Sequence, residues 1–119
     1  MLVDDQADTL NLTKVGLEEH GFIVDAFDDP RKAVMHFKQD SYDRILLDIA
    51  LPRISGFELA RKIWQIDNNA GICFFSKVEI FEHEARKAFS SNSREYCFLK
   101  KTIISSRIVN HLKRHLVVS

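Results

Sequence analysis

The chain has 119 residues, enough for one ordinary domain and too few for two of normal size. Its 45% hydrophobic content argues against global disorder, and 17 basic against 17 acidic side chains leave no net charge to mark a nucleic-acid or membrane surface. No stretch approaches the roughly 20 apolar residues of a membrane span, and no signal-peptide pattern opens the chain, so a cytoplasmic location is expected.

Residues 1–3 form a short apolar run that leads straight into Asp4-Asp5. Three residues are few for a central strand, so the first strand is read as clipped at its N-terminus or beginning late. Over residues 7–20, Leu10, Leu12, Val15 and Leu17 give roughly a helical stripe. Gly21 follows, where a helix end favours a residue free to take positive φ. Residues 22–24 read as a strand. Asp28-Asp29-Pro30 has the form of an N-cap with proline in the first turn, for a helix over 30–39 with Ala33, Val34 and Phe37 inward. Residues 44–49 are a continuous apolar strand with one acid near its end, a pattern that suits a parallel strand covered on both faces. Ser55-Gly56 opens a helix to residue 67 that carries Phe57, Leu59, Ala60, Ile63 and Trp64. Residues 71–75 and 95–99 read as strands, and residues 79–90 and 103–117 as helices.

Strands alternating with helices imply βαβ units with right-handed crossovers. The expected fold is therefore α/β: a flavodoxin-like, doubly wound, five-stranded parallel sheet in order 2-1-3-4-5 with five helices. A single domain over residues 1–119 is expected. Cys73 and Cys97 lack metal-ligand spacing and sit in apolar runs, so they read as buried free thiols in a reducing compartment rather than a disulfide. His111 and His115 have helical i, i+4 spacing but no third ligand nearby, which favours a surface helix face.

Ligands of open parallel sheets bind beyond the carboxyl ends of the strands. At those ends stand Asp4-Asp5, Asp48, Ser76 and Lys101, contributed by segments dispersed in sequence. Packed carboxylates repel one another, and a hard divalent cation such as Mg²⁺ relieves this with oxygen ligands and retained waters. A carboxylate can also attack phosphorus to give an acyl phosphate. Phosphoryl transfer then needs in-line positioning and positive charge, which Lys101 would supply as a point charge beside the metal. The Ser76 hydroxyl can hydrogen-bond a phosphoryl oxygen.

The stretches Leu-Val-Asp-Asp (2–5), Tyr-Asp-Arg-Ile-Leu-Leu-Asp-Ile-Ala-Leu-Pro-Arg-Ile-Ser-Gly-Phe-Glu-Leu (42–59), Cys-Phe-Phe-Ser (73–76) and Tyr-Cys-Phe-Leu-Lys-Lys (96–101) carry a resemblance. The chain resembles the receiver domains of two-component response regulators over its whole length. The resemblance implies that Asp48 is the phosphoacceptor. It implies that Asp4, Asp5, Asp48 and the backbone carbonyl of Ala50 hold Mg²⁺. Ser76 would be the switch hydroxyl, Phe98 the switch aromatic and Lys101 the active-site lysine, preferred to Lys100 because the aromatic stands three residues before it. The implied function is phosphorelay signalling by a phosphoacceptor that is not itself an enzyme. The implied donor is a sensor histidine kinase or phosphotransfer protein, and two copies would pair through helix 4, strand 5 and helix 5. No nucleic acid or membrane is expected to bind this domain directly.

The sequence departs from the family at Thr102, where a proline with a cis bond is usual, at Lys77, where a small residue is usual, and at Phe98, which has no hydroxyl. Thr102 and Lys77 motivate the alternative of a phosphorylation-independent interaction module. A phosphatase with an aspartyl-phosphate intermediate needs a second acid two places after the nucleophile, where Ala50 stands. Apolar Ala50 and Val78 offer no group to orient an attacking water, so the acyl phosphate is expected to be long-lived.

Overall fold

The apolar runs become strands of one parallel sheet in the computed structural model of the chain, which describes residues 1–51, 53–76 and 96–100. The elements in chain order are β1 (Leu2–Val3), α1 (Ala7–Glu19), β2 (Ala26–Phe27), α2 (Pro30–His36), β3 (Ile45–Asp48), α3 (Gly56–Ile66), β4 (Ile72–Ser76) and β5 (Tyr96–Lys100). Their order in the sheet is β2-β1-β3-β4-β5, and every neighbouring pair is parallel, as the sequence predicts. The helices expected over 79–90 and 103–117 lie outside the described residues.

Alternation along the strands divides the core between two faces. Val3, Ile45, Leu47, Ile72 and Phe74 pack with Ala33 of α2 and with Leu59, Ala60, Ile63 and Trp64 of α3. Leu2, Leu46, Cys73 and Phe75 pack on the other face with Leu10 and Leu17 of α1. Both faces are covered, which is why Ile45-Leu46-Leu47 is an unbroken apolar run. Each fully buried Val, Leu, Ile or Phe among them contributes about 1.5–3 kcal/mol by leaving water. Trp64, 2% exposed, keeps its polar edge satisfied by donating its indole N–H to the Ala70 carbonyl at 2.9 Å.

The helix ends follow local chemistry. The Asp29 side chain accepts the Arg31 N–H at 2.9 Å and Pro30 opens α2. The Ser55 hydroxyl accepts the Glu58 N–H at 3.2 Å and opens α3. At the end of α1, Gly21 takes φ +91°. Its N–H bonds Glu18 O at 3.0 Å and the Phe22 N–H bonds Leu17 O at 3.2 Å. These two bonds satisfy the last carbonyls of the helix in a Schellman arrangement.

That arrangement corrects one expectation. The second strand is Ala26–Phe27, not residues 22–24. Phe22 is held by the helix end, Ile23 is 98% exposed, and pairing begins only where the Leu2 N–H reaches Asp25 O at 2.9 Å. Helix α2 stops at His36, three residues early, because Phe37 turns extended and buries its ring against the core. On α1 the inward stripe is Leu10, Thr13 and Leu17. Leu12 and Val15 point outward at 73% and 52% exposure, since they sit on another side of the 3.6-residue period. The cysteines are also corrected: Cys73 and Cys97 are joined as a disulfide. Parallel register sets them side by side on one face of β4 and β5, and spacing in sequence carries no information about register.

Near the amino ends of the strands, the Tyr42 hydroxyl donates to Asp25 Oδ2 at 2.6 Å, and its ring stacks on Phe37 with centroids 6.2 Å apart. Burial first, then this bond and the Asp25 charge, hold the hydroxyl proton above the usual tyrosine range. A pKa raised on folding contributes stability that is present below the unfolded value of about 10 and is lost as pH climbs past it. Thermal melts of the wild type should therefore fall off above about pH 10 more steeply than those of Tyr42→Phe. Parallel curves for the two proteins would show that the Tyr42–Asp25 bond carries no linkage.

Candidate functional site

The acidic residues sit where two central strands end. After β1, the Asp4 N–H continues the ladder by donating to Phe27 O at 3.1 Å. Its side chain is fully buried, and Oδ1 accepts the Gln6 N–H at 3.0 Å, turning the chain toward α1. Asp5 is exposed beside it. Asp48 is the last residue of β3 and 4% exposed. Its Oδ1 accepts the Ala50 N–H at 3.1 Å, an Asx-type turn that brings the chain off the sheet. Burying carboxylates is costly unless hydrogen bonds, cations or water meet them, and each of these two has one such bond from the following loop.

Asp4, Asp5 and Asp48 each offer an oxygen, and these oxygens lie within 4.8 Å of one another. Ligand oxygens around an octahedral Mg²⁺ at 2.0–2.1 Å stand about 3–4 Å apart, so the donor set fits this cation after small side-chain adjustment. All three donors are hard carboxylate oxygens, the type Mg²⁺ prefers.

Parallel register extends the same edge. Asp48 pairs with Phe75, so Ser76 ends β4 one residue further along, opposite Lys100 at the end of β5. Ala50, whose carbonyl is the expected fourth protein ligand, follows Asp48 on the exposed loop. Phe98 is partly buried, its ring 5.4 Å from Phe74 and 5.9 Å from Tyr96. Lys101 lies outside the described residues, as do Lys77, Val78 and Thr102.

In the sequence Gly56 stands as a helix opener and as part of the 42–59 motif, with no structural role attached to it. A Cβ there would meet the Asp48 carbonyl oxygen and would stand 2.8 Å from Ile49 Cα. The Gly56 N–H also donates to Ile49 O at 2.9 Å. The residue thus lets α3 start directly against the loop that presents Asp48. The signal was its place eight residues after the acid, but the backbone contact behind that spacing is visible only in three dimensions.

A doubly wound sheet in this order, with acids gathered at its carboxyl edge, defines a flavodoxin-like α/β domain. The chain belongs to the response regulator receiver domain family, whose sequence model it matches over residues 1–113, and it is thus a receiver domain of the two-component type. It is 27% identical over 119 residues to the response regulator receiver protein CpdR of Brucella abortus, covering all of this chain and 97% of that protein. It is 29% identical over 116 residues to the regulatory protein VanRB of Enterococcus faecalis, covering 96% of this chain but 52% of that protein. Among solved structures, the response regulator protein TrrA of Thermotoga maritima in complex with Mg²⁺-BeF superposes with a TM-score of 0.80 at 26% identity, covering 97% of this chain and 96% of that one. A CheY-like receiver domain protein from Methanospirillum hungatei gives a TM-score of 0.81 at 23% identity, covering 97% and 90% of the two chains.

Proposed function

We propose that this domain accepts a phosphoryl group on Asp48 from a sensor histidine kinase or phosphotransfer protein in the cytoplasm. Asp4, Asp5, Asp48 and the Ala50 carbonyl would hold Mg²⁺. The observation that carries the reading is the convergence of Asp4, Asp5 and Asp48 from two strand ends onto one small cluster. When bound, Mg²⁺ supplies positive charge that offsets the carboxylates and the transferred phosphoryl oxygens.

Asp48 is the nucleophile in this reading. The hydrogen bond from Ala50 to Oδ1 orients its carboxylate, and a carboxylate oxygen attacks phosphorus in line. The new bond is Asp48 O–P. The broken bond is P–N of the donor phosphohistidine, whose imidazole keeps the P–N electron pair and leaves neutral with a proton on its other ring nitrogen. Lys101 meets the charge of the phosphoryl group as a cation, and the Ser76 hydroxyl donates to one of its oxygens. Phe98, set against β4 through Phe74, then repositions. The outcome is a shift between two arrangements of the partner face rather than a new fold.

Intact-protein mass after incubation with acetyl phosphate tests this. A gain of one phosphoryl group in Mg²⁺ and none in EDTA is expected. No gain in either buffer favours the phosphorylation-independent module suggested by Lys77 and Thr102, and those two residues become the first to revert.

A further inference from the structure

We propose that Cys73 and Cys97 form a reversible redox lock between β4 and β5, and that its state sets how fast the domain takes up a phosphoryl group. The second half of this inference rests on the function proposed above.

Register and packing place the pair. The ladder sets Cys73 directly beside Cys97, with Cα atoms 4.5 Å apart, inside the range that a disulfide spans. Both side chains lie on the face shared with Leu2, Leu46 and Phe75, so bonding requires no change of strand register. The bond joins the two strands whose carboxyl ends carry Ser76 and Lys100. Cys97 immediately precedes Phe98, and Cys73 stands three residues before Ser76. In this proposal the shift of Ser76 and Phe98 is accompanied by an adjustment of β4 against β5. A covalent tie a few residues below resists that adjustment, whereas two thiols permit it.

The burial of the two sulfurs differs. Cys73 is 2% exposed, while Cys97 is half-buried. Exchange therefore starts at Cys97. Its thiolate attacks one sulfur of a low-molecular-weight disulfide and expels one thiol. The Cys73 thiolate then attacks the mixed disulfide at Cys97 and expels the second thiol, closing the Cys73–Cys97 bond. Two protein thiols and one small disulfide become one protein disulfide and two small thiols, so two electrons and two protons pass to the small molecule. Excess small thiol runs the same steps backward. In a reducing compartment a protein disulfide persists only as this kind of transient, sensing bond.

The test equilibrates the full chain in glutathione buffers from fully reduced to fully oxidised. Free thiols are counted by alkylation and mass, melting temperature is recorded, and the rate of Mg²⁺-dependent phosphoryl uptake from acetyl phosphate is measured. Both thiols should disappear together in one two-electron step. The oxidised form should melt roughly 10 °C higher, as expected for closing a loop of this length. Uptake should be at least several-fold slower in the oxidised form, and Cys97→Ala should take up phosphoryl at the reduced rate in every buffer. Thiols that stay alkylatable in the most oxidising buffer overturn the lock. A disulfide that forms with uptake unchanged overturns the coupling. Absence of uptake in every buffer, reduced included, overturns the function proposed above and the coupling with it, while the thiol count still decides the lock by itself. If Cys97→Ala does not fold, Cys97→Ser serves in its place, and the wild-type titration needs no variant.

Discussion

Asp48→Asn should take up no phosphoryl group, and in metal-free buffer it should melt above the wild type. Asparagine has nearly the same shape and keeps an Oδ1 that can accept the Ala50 N–H, so the turn after β3 survives. What disappears is the proposed nucleophile and one negative charge of three held within 4.8 Å. Two unit charges at that distance repel by about 3–4 kcal/mol at an effective dielectric constant near 20. Asp5 is exposed, and solvent screening reduces the net relief to about 1–2 kcal/mol. For a domain of this size that is a rise of roughly 4–8 °C. Mg²⁺ should reverse the order. A cation that binds only the folded wild type adds about 2.7 kcal/mol at a hundredfold excess over its dissociation constant, and the variant should gain far less. Melts in EDTA and across a Mg²⁺ series decide the matter. A variant that melts lower in EDTA and responds equally to Mg²⁺ would remove the cluster as the metal site.

Gly56→Ala should damage stability and the site together. The new methyl group meets backbone, the Asp48 carbonyl oxygen and Ile49 Cα, so no side-chain rotation relieves it. Either α3 retreats or Asp48 moves. Overpacking of this kind costs about 1–3 kcal/mol, and displaced carboxylates should weaken Mg²⁺ binding about tenfold, the equivalent of roughly 1.4 kcal/mol. Gly21→Ala is the control. Gly21 also requires its glycine, because φ is +91°, but a Cβ there meets nothing within 4 Å. It should lose about 1 kcal/mol or more by strain alone and keep its Mg²⁺ affinity. Urea unfolding beside a Mg²⁺ titration separates the two outcomes. Equal Mg²⁺ affinity in all three proteins would mean that Gly56 supports only the fold.

The sheet order and the acidic cluster were legible because both depend on short, strongly marked segments. Ile45-Leu46-Leu47-Asp48 announces a strand covered on both faces and ending in an acid. Asp4-Asp5 follows an apolar run in the same way. What failed were readings that need the position of one segment against another. Phe22-Ile23-Val24 has strand composition, yet the helix end holds Phe22 and pairing starts later, because propensity is weaker than a satisfied helix terminus. Leu12 and Val15 look like part of an inward stripe, and only the direction of α1 over the sheet shows that they face out. The cysteine pair depended wholly on register.

Strand β1 has two residues, yet it pairs with β2 on one side and β3 on the other. Among the described strands every neighbour is parallel, so no ladder can close through a tight local turn. Each pairing must first bring together segments a whole crossover apart, and loop closure on that scale slows folding. During synthesis, Leu2–Val3 waits longer for β3 than for β2. It stays unpaired on its β3 side until Leu46 and Leu47 have left the ribosome. The ladder with the widest closure is thus the one between β1 and β3, and the sheet grows outward from β3 to β4 and β5 only as those later segments emerge.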